Sequence, residues 1–251
     1  MMLFDTLDTE EKAQHFRKYR LDWINNGEVW GPLSDGPYCV LHWLPISKEV
    51  LFSVDDLNPE EFSKFIRNLK PLGRTEEINS DGINFRSIEK DETKEGASNP
   101  LIEGDQGRYF WNAQVFHSGA MEMAIALSFR DYPPGTKRLY QGEIIEELWK
   151  AMDGFKECMS HFNITAPIIV GVSLLRVLDY RFSDNSYTRL VTGDRTPRPP
   201  SNKEEIILSG ERVEKVQDIG KIERTIFDSL WRIFGIAKCE YYNENGRNRN
   251  V

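Results

Sequence analysis

The stretch from Pro167 to Leu175, PIIVGVSLL, decides the fold class. It is β-branched and almost continuously apolar, which is typical of a central strand covered on both faces. The stretch from Tyr38 to Ile46, YCVLHWLPI, predicts a second buried strand. This strand ends or bends at Pro45, because proline cannot donate to a ladder. Strands of this kind need other elements over their faces, so we expect helices to cover the sheet.

Amphipathic helices are predicted where apolar residues recur at steps of three and four. Read from their capping and stop residues, they run from Thr9 to Asn26, Asn58 to Lys70, Glu143 to Phe162 and Gly220 to Phe234. Shorter strands are predicted at Ile83 to Ile88 and Glu205 to Ser209. The stretches 108–116 and 120–129 flank His117-Ser118-Gly119 and predict a β-hairpin with a short turn.

This alternation predicts an α+β or α/β fold, a single layered domain with a mixed β-sheet covered by helices. The chain has 251 residues, enough to bury a sizeable core. No internal repeat or linker divides it, so residues 1–240 are expected to form one α/β-type domain. Residues 241–251 are expected to be a polar C-terminal tail that frays.

Composition and charge restrict the compartment and the partners. Forty acidic and 32 basic residues give a net charge of −8, so no global positive field attracts phosphate backbones or anionic lipid. The chain begins without the basic and apolar regions of a secretory signal, and no apolar window reaches the roughly 18 residues of a membrane span. The thiols of Cys39, Cys158 and Cys239 form no C-x-x-C pair, which fits a reducing compartment. We therefore expect a cytoplasmic protein that contacts no membrane.

No spacing in the sequence predicts a metal site or a cofactor. The four histidines have no second His or Cys at the spacing that binds zinc from one element, and His42 and His117, on or beside predicted strands, are expected to be structural. The stretch 171–175, GVSLL, lacks the second glycine of a nucleophile elbow. No glycine-rich phosphate loop occurs either.

One pattern leaves an enzymatic alternative open. Asp81 is followed, after ten intervening residues, by Glu92-Thr93-Lys94. Metal-dependent nucleases use such a trio to hold a divalent cation and to position water. That chemistry needs the Glu and Lys on a packed strand, whereas here they lie in EKDETKEG, which favours a solvated charge run. A metal-dependent nuclease or hydrolase using Asp81, Glu92 and Lys94 is therefore the alternative and not the favoured interpretation.

A span rich in arginine is the candidate binding region. Guanidinium forks suit phosphate oxygens, and aromatic residues beside the span could stack on bases. The span predicts local recognition of nucleic acid or of a protein partner. Its candidate residues are Arg176, Arg181, Arg189, Arg195 and Arg198.

Framework segments along the chain carry a family resemblance. They are the apolar and aromatic stretches 16–33, 40–47, 108–124, 144–182 and 226–246, which include FRKYRLDWINNGEVWGPL and RYFWNAQVFHSGAMEMA. In this order they resemble the region that follows the Schlafen-type AlbA_2 DNA-binding domain in a group of bacterial proteins. The present sequence starts at the equivalent of the helix that connects to that domain, so the resemblance implies a chain without the AlbA_2 lobe. No functional residue carries over.

The resemblance and the absent catalytic motif together favour a non-enzymatic interaction or accessory subunit. Its setting would be a bacterial nucleic-acid-associated assembly, with anti-phage defence as one such setting. A larger protein partner, such as a nuclease or an ATPase, would supply the activity. Contact with nucleic acid would be indirect or local, with direct binding through the span 176–198 as a further alternative. The sequence leaves the formation of homo-oligomers open.

Overall fold

A β-sheet assembled from distant parts of the chain forms the middle of the fold. The computed structural model describes residues 7–27, 36–47, 74–79, 82–88, 109–127, 129–131, 135–165, 167–183, 200–243 and 246–247. Within these ranges the strands are β1 (Tyr38–Pro45), β2 (Arg74–Asn79), β3 (Gly82–Ile88), β4 (Tyr109–Phe116), β5 (Met121–Ala126), β6 (Phe129–Asp131), β7 (Lys137–Tyr140), β8 (Ile168–Leu175), β9 (Arg181–Ser183), β10 (Glu205–Ile207), β11 (Glu211–Val213), β12 (Tyr242–Asn243) and β13 (Gly246–Arg247). The helices are α1 (Glu10–Asn25), α2 (Gln141–His161) and α3 (Ile219–Ile233), and the 3-10 turn Val216–Asp218 precedes α3.

The main sheet is antiparallel. Its strand order is β10-β8-β1-β5-β4-β3-β2, and β11 also pairs with β8. A smaller sheet joins β6 to β7 in antiparallel fashion and β7 to β9 in parallel. The protein is therefore an α+β single domain, and the only parallel pairing within the described residues lies in the smaller sheet.

The two stretches predicted as buried strands are β1 and β8, which pair with each other. Every residue of both strands is buried, as the uninterrupted apolar pattern predicts. The predicted hairpin is β4–β5, closed by a bond from the Phe116 backbone N–H to the Ala120 carbonyl and by Gly119 at φ 77°. The strand predicted at 83–88 is β3, and the helix predicted at 58–70 lies outside the described residues.

Helices cover both faces of the main sheet. Along β1, Cys39, Leu41 and Trp43 belong to the large apolar cluster that contains residues of α2 and α3. The alternate residues Val40 and Leu44 pack in clusters that contain residues of α1. Because strand side chains alternate between faces, α1 lies on one face of the sheet, and α2 and α3 lie on the other.

The helix ends follow the sequence signals. The Thr9 hydroxyl accepts a bond of 3.2 Å from the Lys12 backbone N–H, which is the predicted N-cap of α1. Helix α2 begins at Gln141, two residues before the prediction. The Gln141 side chain is buried, and its Oε1 accepts a bond of 2.7 Å from the Trp231 indole of α3.

The C-terminal stretch corrects one prediction. The expectation that the chain frays from Tyr241 is wrong for Tyr241 and Tyr242, which are buried. The Trp149 indole N–H donates to the Tyr242 hydroxyl at 2.6 Å, and the rings of Phe227 and Tyr242 stack at 5.4 Å. Arg247 is bound as well, by a pair of bonds to the Glu223 carboxylate. The polar composition of this stretch did not predict these contacts. A few aromatic and guanidinium groups are enough to fix a short hairpin to two helices.

Candidate functional site

A row of polar residues crosses the main sheet beneath α1. The register places His42 of β1 opposite Glu122 of β5, and Glu122 opposite Gln114 of β4. All three side chains are buried, with His42 at 0% exposure. Arg17 and Arg20 of α1 are also buried over this face. We call these five residues, Arg17, Arg20, His42, Gln114 and Glu122, the sheet cluster.

Glu122 is the centre of the sheet cluster. Arg20 binds it through two bonds, from Nε to Oε2 at 3.0 Å and from Nη2 to Oε1 at 2.8 Å. His42 Nε2 lies 3.0 Å from the same Oε2. The Arg20 guanidinium is also 5.1 Å from the centroid of the Phe116 ring, which lies beside it on the sheet. A bidentate guanidinium pair of this kind fixes the carboxylate in one orientation.

The charge states within this group follow from its geometry. Burial raises the pKa of Glu122, but attraction to Arg20 and the hydrogen bonds from His42 and Arg20 outweigh burial and lower the pKa to about 2. Burial lowers the pKa of His42, and this outweighs the opposing effect of the bond to Glu122. The imidazole is therefore neutral and the carboxylate is ionised at neutral pH. Since a carboxylate only accepts, the His42 proton lies on Nε2.

Arg17 makes a second kind of contact. Its Nη1 donates to the Leu208 carbonyl at 2.7 Å, and its Nη2 donates to the Val172 carbonyl at 3.0 Å and to the Ser173 hydroxyl at 2.9 Å. These acceptors are all uncharged. Burial lowers the pKa of Arg17 to about 10, so the guanidinium is still charged at neutral pH. Arg17 therefore brings a buried charge to the break between β10 and β11.

Gly171 makes room for the Arg17 guanidinium. A Cβ at Gly171 would lie 2.5 Å from Cζ of Arg17, a distance that real contacts do not reach. The register places Gly171 opposite His42, so Arg17 lies over the strand next to the imidazole. The glycine in IIVGVSLL is thus needed for close approach and not for a nucleophile elbow.

Three buried nitrogens in the sheet cluster have no hydrogen-bond partner within the described part of the chain. They are Nδ1 of His42, Nε of Arg17 and Nε2 of Gln114. With the His42 proton on Nε2, Nδ1 is an acceptor, whereas the other two atoms are donors. The carboxylate and the imidazole of the cluster are covered by α1 and buried, so neither faces solvent.

The residues predicted from the arginine-rich span lie in different environments. Arg176 donates from Nη1 to the Tyr38 hydroxyl at 3.0 Å and from Nη2 to the Asn25 carbonyl at 2.6 Å. Its guanidinium also lies 4.9 Å from the Tyr38 ring centroid, so it ties the C-terminal end of α1 to the sheet. Arg181 lies on β9 and is half-buried. The remaining members, Arg189, Arg195 and Arg198, lie outside the described residues.

The trio of the enzymatic alternative, Asp81, Glu92 and Lys94, also lies outside the described residues, and that alternative stays a prediction. The described ranges contain no group of three or more His, Cys, Asp or Glu side chains that could hold a metal ion. In the same ranges, no helix has the length and apolar character needed to cross a membrane. The three thiols are buried, and burial raises the pKa of each, for example that of Cys239 to about 12.

Sequence reasoning missed most of the sheet cluster. It singled out His42 but not Arg17, Arg20, Gln114 or Glu122. A usable signal was present in AMEMAIA, where a period of two places Glu122 on the same face as Ala124 and Ala126. A single acidic residue in an otherwise apolar strand predicts a buried cationic partner.

Comparisons with protein-family models, with curated proteins and with solved structures found no match. The resemblance to the region after the AlbA_2 domain therefore stays a prediction.

Proposed function

We propose that this chain is a non-enzymatic interaction or accessory subunit of a bacterial nucleic-acid-associated assembly, with anti-phage defence as its setting. The observation that carries the proposal is the placement of the sheet cluster. Within the residues that the structure describes, its carboxylate, imidazole and guanidinium groups resemble catalytic machinery, and all of them are buried between α1 and the sheet. A catalytic acid or base must reach its substrate, whereas these groups contact each other and buried groups of the same sheet.

The edge of the main sheet supports a binding role. Strands β10 and β11 pair with β8, and within the described residues no strand lies on their outer side. Such an edge presents backbone N–H and C=O groups to which a strand of another protein can be added. Ile207 of β10 is 50% exposed at this edge and offers an apolar anchor for the added strand.

The charges at this edge favour a different protein over a second copy. An antiparallel pairing of two copies centred on Leu208 would place Glu205 of each copy opposite Glu211 of the other. Like charges directly opposite each other destabilise a pair of strands. The partner we propose is therefore a larger protein that supplies a strand and carries the activity, such as a nuclease or an ATPase.

Co-expression tests this proposal directly. The tagged chain is produced together with the products of its neighbouring reading frames, and the mass of the purified species is measured by light scattering after gel filtration. We expect a stable complex with a larger protein, weakened at least tenfold in dissociation constant by Ile207→Lys. Ile233→Lys is the matched control, because Ile233 is 41% exposed at the end of α3. Elution of the chain alone as a monomer would contradict the proposal, and equal effects of the two variants would exclude the edge.

A further inference from the structure

Three arginine positions lie in one row across the smaller sheet. The register pairs Arg130 of β6 with Arg138 of β7, and Arg138 with Arg181 of β9. Neighbouring strands are about 4.8 Å apart, so the row spans about 10 Å. We call these three positions, Arg130, Arg138 and Arg181, the arginine row. Arg181 belongs to the span predicted from the sequence, whereas the other two precede it by more than forty residues.

The adjacent row of the same sheet defines the face on which Arg138 and Arg181 lie. Leu139 pairs with Phe129 and with Phe182, and these three residues belong to or pack against the large apolar cluster. Because side chains alternate along a strand, Arg138 and Arg181 lie on the opposite face. Both residues are half-buried, so each leaves part of its surface open to a ligand.

These two guanidinium groups are uncompensated within the described part of the chain. Neither Arg138 nor Arg181 forms a hydrogen bond or an ion pair there, in contrast to Arg17, Arg20, Arg176 and Arg247. Like charges on directly paired positions destabilise a sheet. An anion bound along the row would remove this repulsion, and guanidinium forks bind phosphate oxygens through paired N–H donors.

We propose that Arg138 and Arg181 of the arginine row bind neighbouring phosphate groups of a nucleic-acid backbone. Their paired positions on neighbouring strands are about 4.8 Å apart, which suits a polymer with closely spaced anionic groups. The contact is with phosphates and reads no base sequence. This local site is compatible with the net charge of −8, because the favourable field is confined to one sheet.

The arginine row extends the proposed function and does not depend on it. The partner-binding edge consists of β10 and β11, whereas the row lies on β6, β7 and β9. A chain that binds nucleic acid and no protein, or a protein and no nucleic acid, would separate the two proposals.

The test measures binding of the full chain to a fluorescently labelled single-stranded oligonucleotide by anisotropy at several salt concentrations. We expect affinity to fall as salt rises. The double variant Arg138→Gln and Arg181→Gln should bind about tenfold more weakly at low salt, and its slope of log affinity against log salt should be shallower by about 1.4, or about 0.7 for each lost phosphate contact. Inorganic pyrophosphate should compete with the oligonucleotide for the wild-type chain.

The matched control is Lys215→Gln with Lys238→Gln, which removes the same charge from two exposed lysines elsewhere. Equal weakening by the control, a flat salt response, or no binding by the wild-type chain would overturn the proposal. Binding to phosphatidylserine vesicles but not to the oligonucleotide would overturn it as well. The variant Arg138→Lys with Arg181→Lys keeps the charge and loses the fork, so it should retain the salt slope with reduced affinity. This Lys variant also tests the proposal if the Gln variant does not fold.

Discussion

The two sides of the main sheet handle buried charge differently. On the α1 side, the sheet cluster has two guanidinium groups, Arg17 and Arg20, against the single carboxylate of Glu122. On the other side, Glu223 and Asp153 face Arg247 and Lys156, so the charges there are equal in number. We call these four residues, Asp153, Lys156, Glu223 and Arg247, the rim cluster.

The clusters also differ in their access to water. Within the rim cluster the Glu223 carboxylate is buried, but its neighbours are more open: the side chain of Asp153 is 49% exposed and that of Lys156 is 33% exposed, so water can solvate these partners in part. In the sheet cluster, every member is buried and three nitrogens lack partners within the described residues. The two clusters show two ways to stabilise buried charge. In the rim cluster each charge has an opposite charge beside it and water reaches some of the partners, whereas in the sheet cluster a helix covers the charges. The second arrangement makes the fold sensitive to the loss of any one partner.

The largest expected effect is from Glu122→Gln. This change leaves the Arg20 guanidinium buried without a carboxylate, so the free energy of unfolding should fall by about 3–5 kcal/mol. The measurement is urea unfolding followed by circular dichroism and tryptophan fluorescence. Glu223→Gln is the matched control in the rim cluster and should cost about 1–2 kcal/mol, since water can solvate the remaining charges. Equal losses in the two variants would contradict the contrast between the clusters.

Acid should destabilise the protein through the sheet cluster. The unfolded chain takes up a proton at His42 below its ordinary pKa of 6.5, whereas the folded chain keeps that imidazole neutral. Glu122 behaves in the same direction, because its ionised form is favoured down to a pKa of about 2 against 4.5 when unfolded. The unfolded state therefore binds more protons, and stability falls as pH falls.

Thermal unfolding between pH 7 and pH 3 measures this effect. We expect the melting temperature to fall in two ranges, first below pH 6.5 from His42 and then below pH 4.5 from Glu122. About 2 kcal/mol of the Glu122 contribution is lost by pH 3, by the relation between a pKa shift and free energy, and the rest is lost only below a pH of about 2. His42→Gln should remove the first range and leave the second. A profile for His42→Gln identical to that of the wild type would exclude the imidazole as the source.

A smaller effect is expected from Gly171→Ala. The new Cβ would displace the Arg17 guanidinium and weaken its bonds to Val172, Ser173 and Leu208. The free energy of unfolding should fall by about 1–3 kcal/mol. Gly220→Ala is the control, since nothing lies within 4 Å of a Cβ there. A neutral outcome for Gly171→Ala would mean that Arg17 has room to move.

The sequence predicts the elements better than it predicts the cluster, and the reason is register. The strands β1 and β8 follow from continuous apolar runs, and the β4–β5 hairpin follows from a local turn. The contact between His42 and Glu122 joins residues 80 positions apart, and it depends on how two strands pair. No local pattern contains that information.

Helix α1 shows the same limit of prediction from local sequence. Arg17 and Arg20 belong to an amphipathic pattern in which charged residues are expected to face water. Here both are covered because polar acceptors on the sheet lie beneath them. The arginine row has a similar origin, since Arg138 and Arg181 become neighbours only through the parallel pairing of β7 with β9.

The central claim is that the sheet cluster holds α1 against the main sheet and stabilises the fold. A double-mutant cycle on Arg20 and Glu122 tests it most directly, with Arg20→Met, Glu122→Met and the double variant compared by urea unfolding. We predict a coupling free energy of about 2–3 kcal/mol, with the double variant more stable than the sum of the single losses allows. Additive losses, or single variants as stable as the wild type, would contradict the claim.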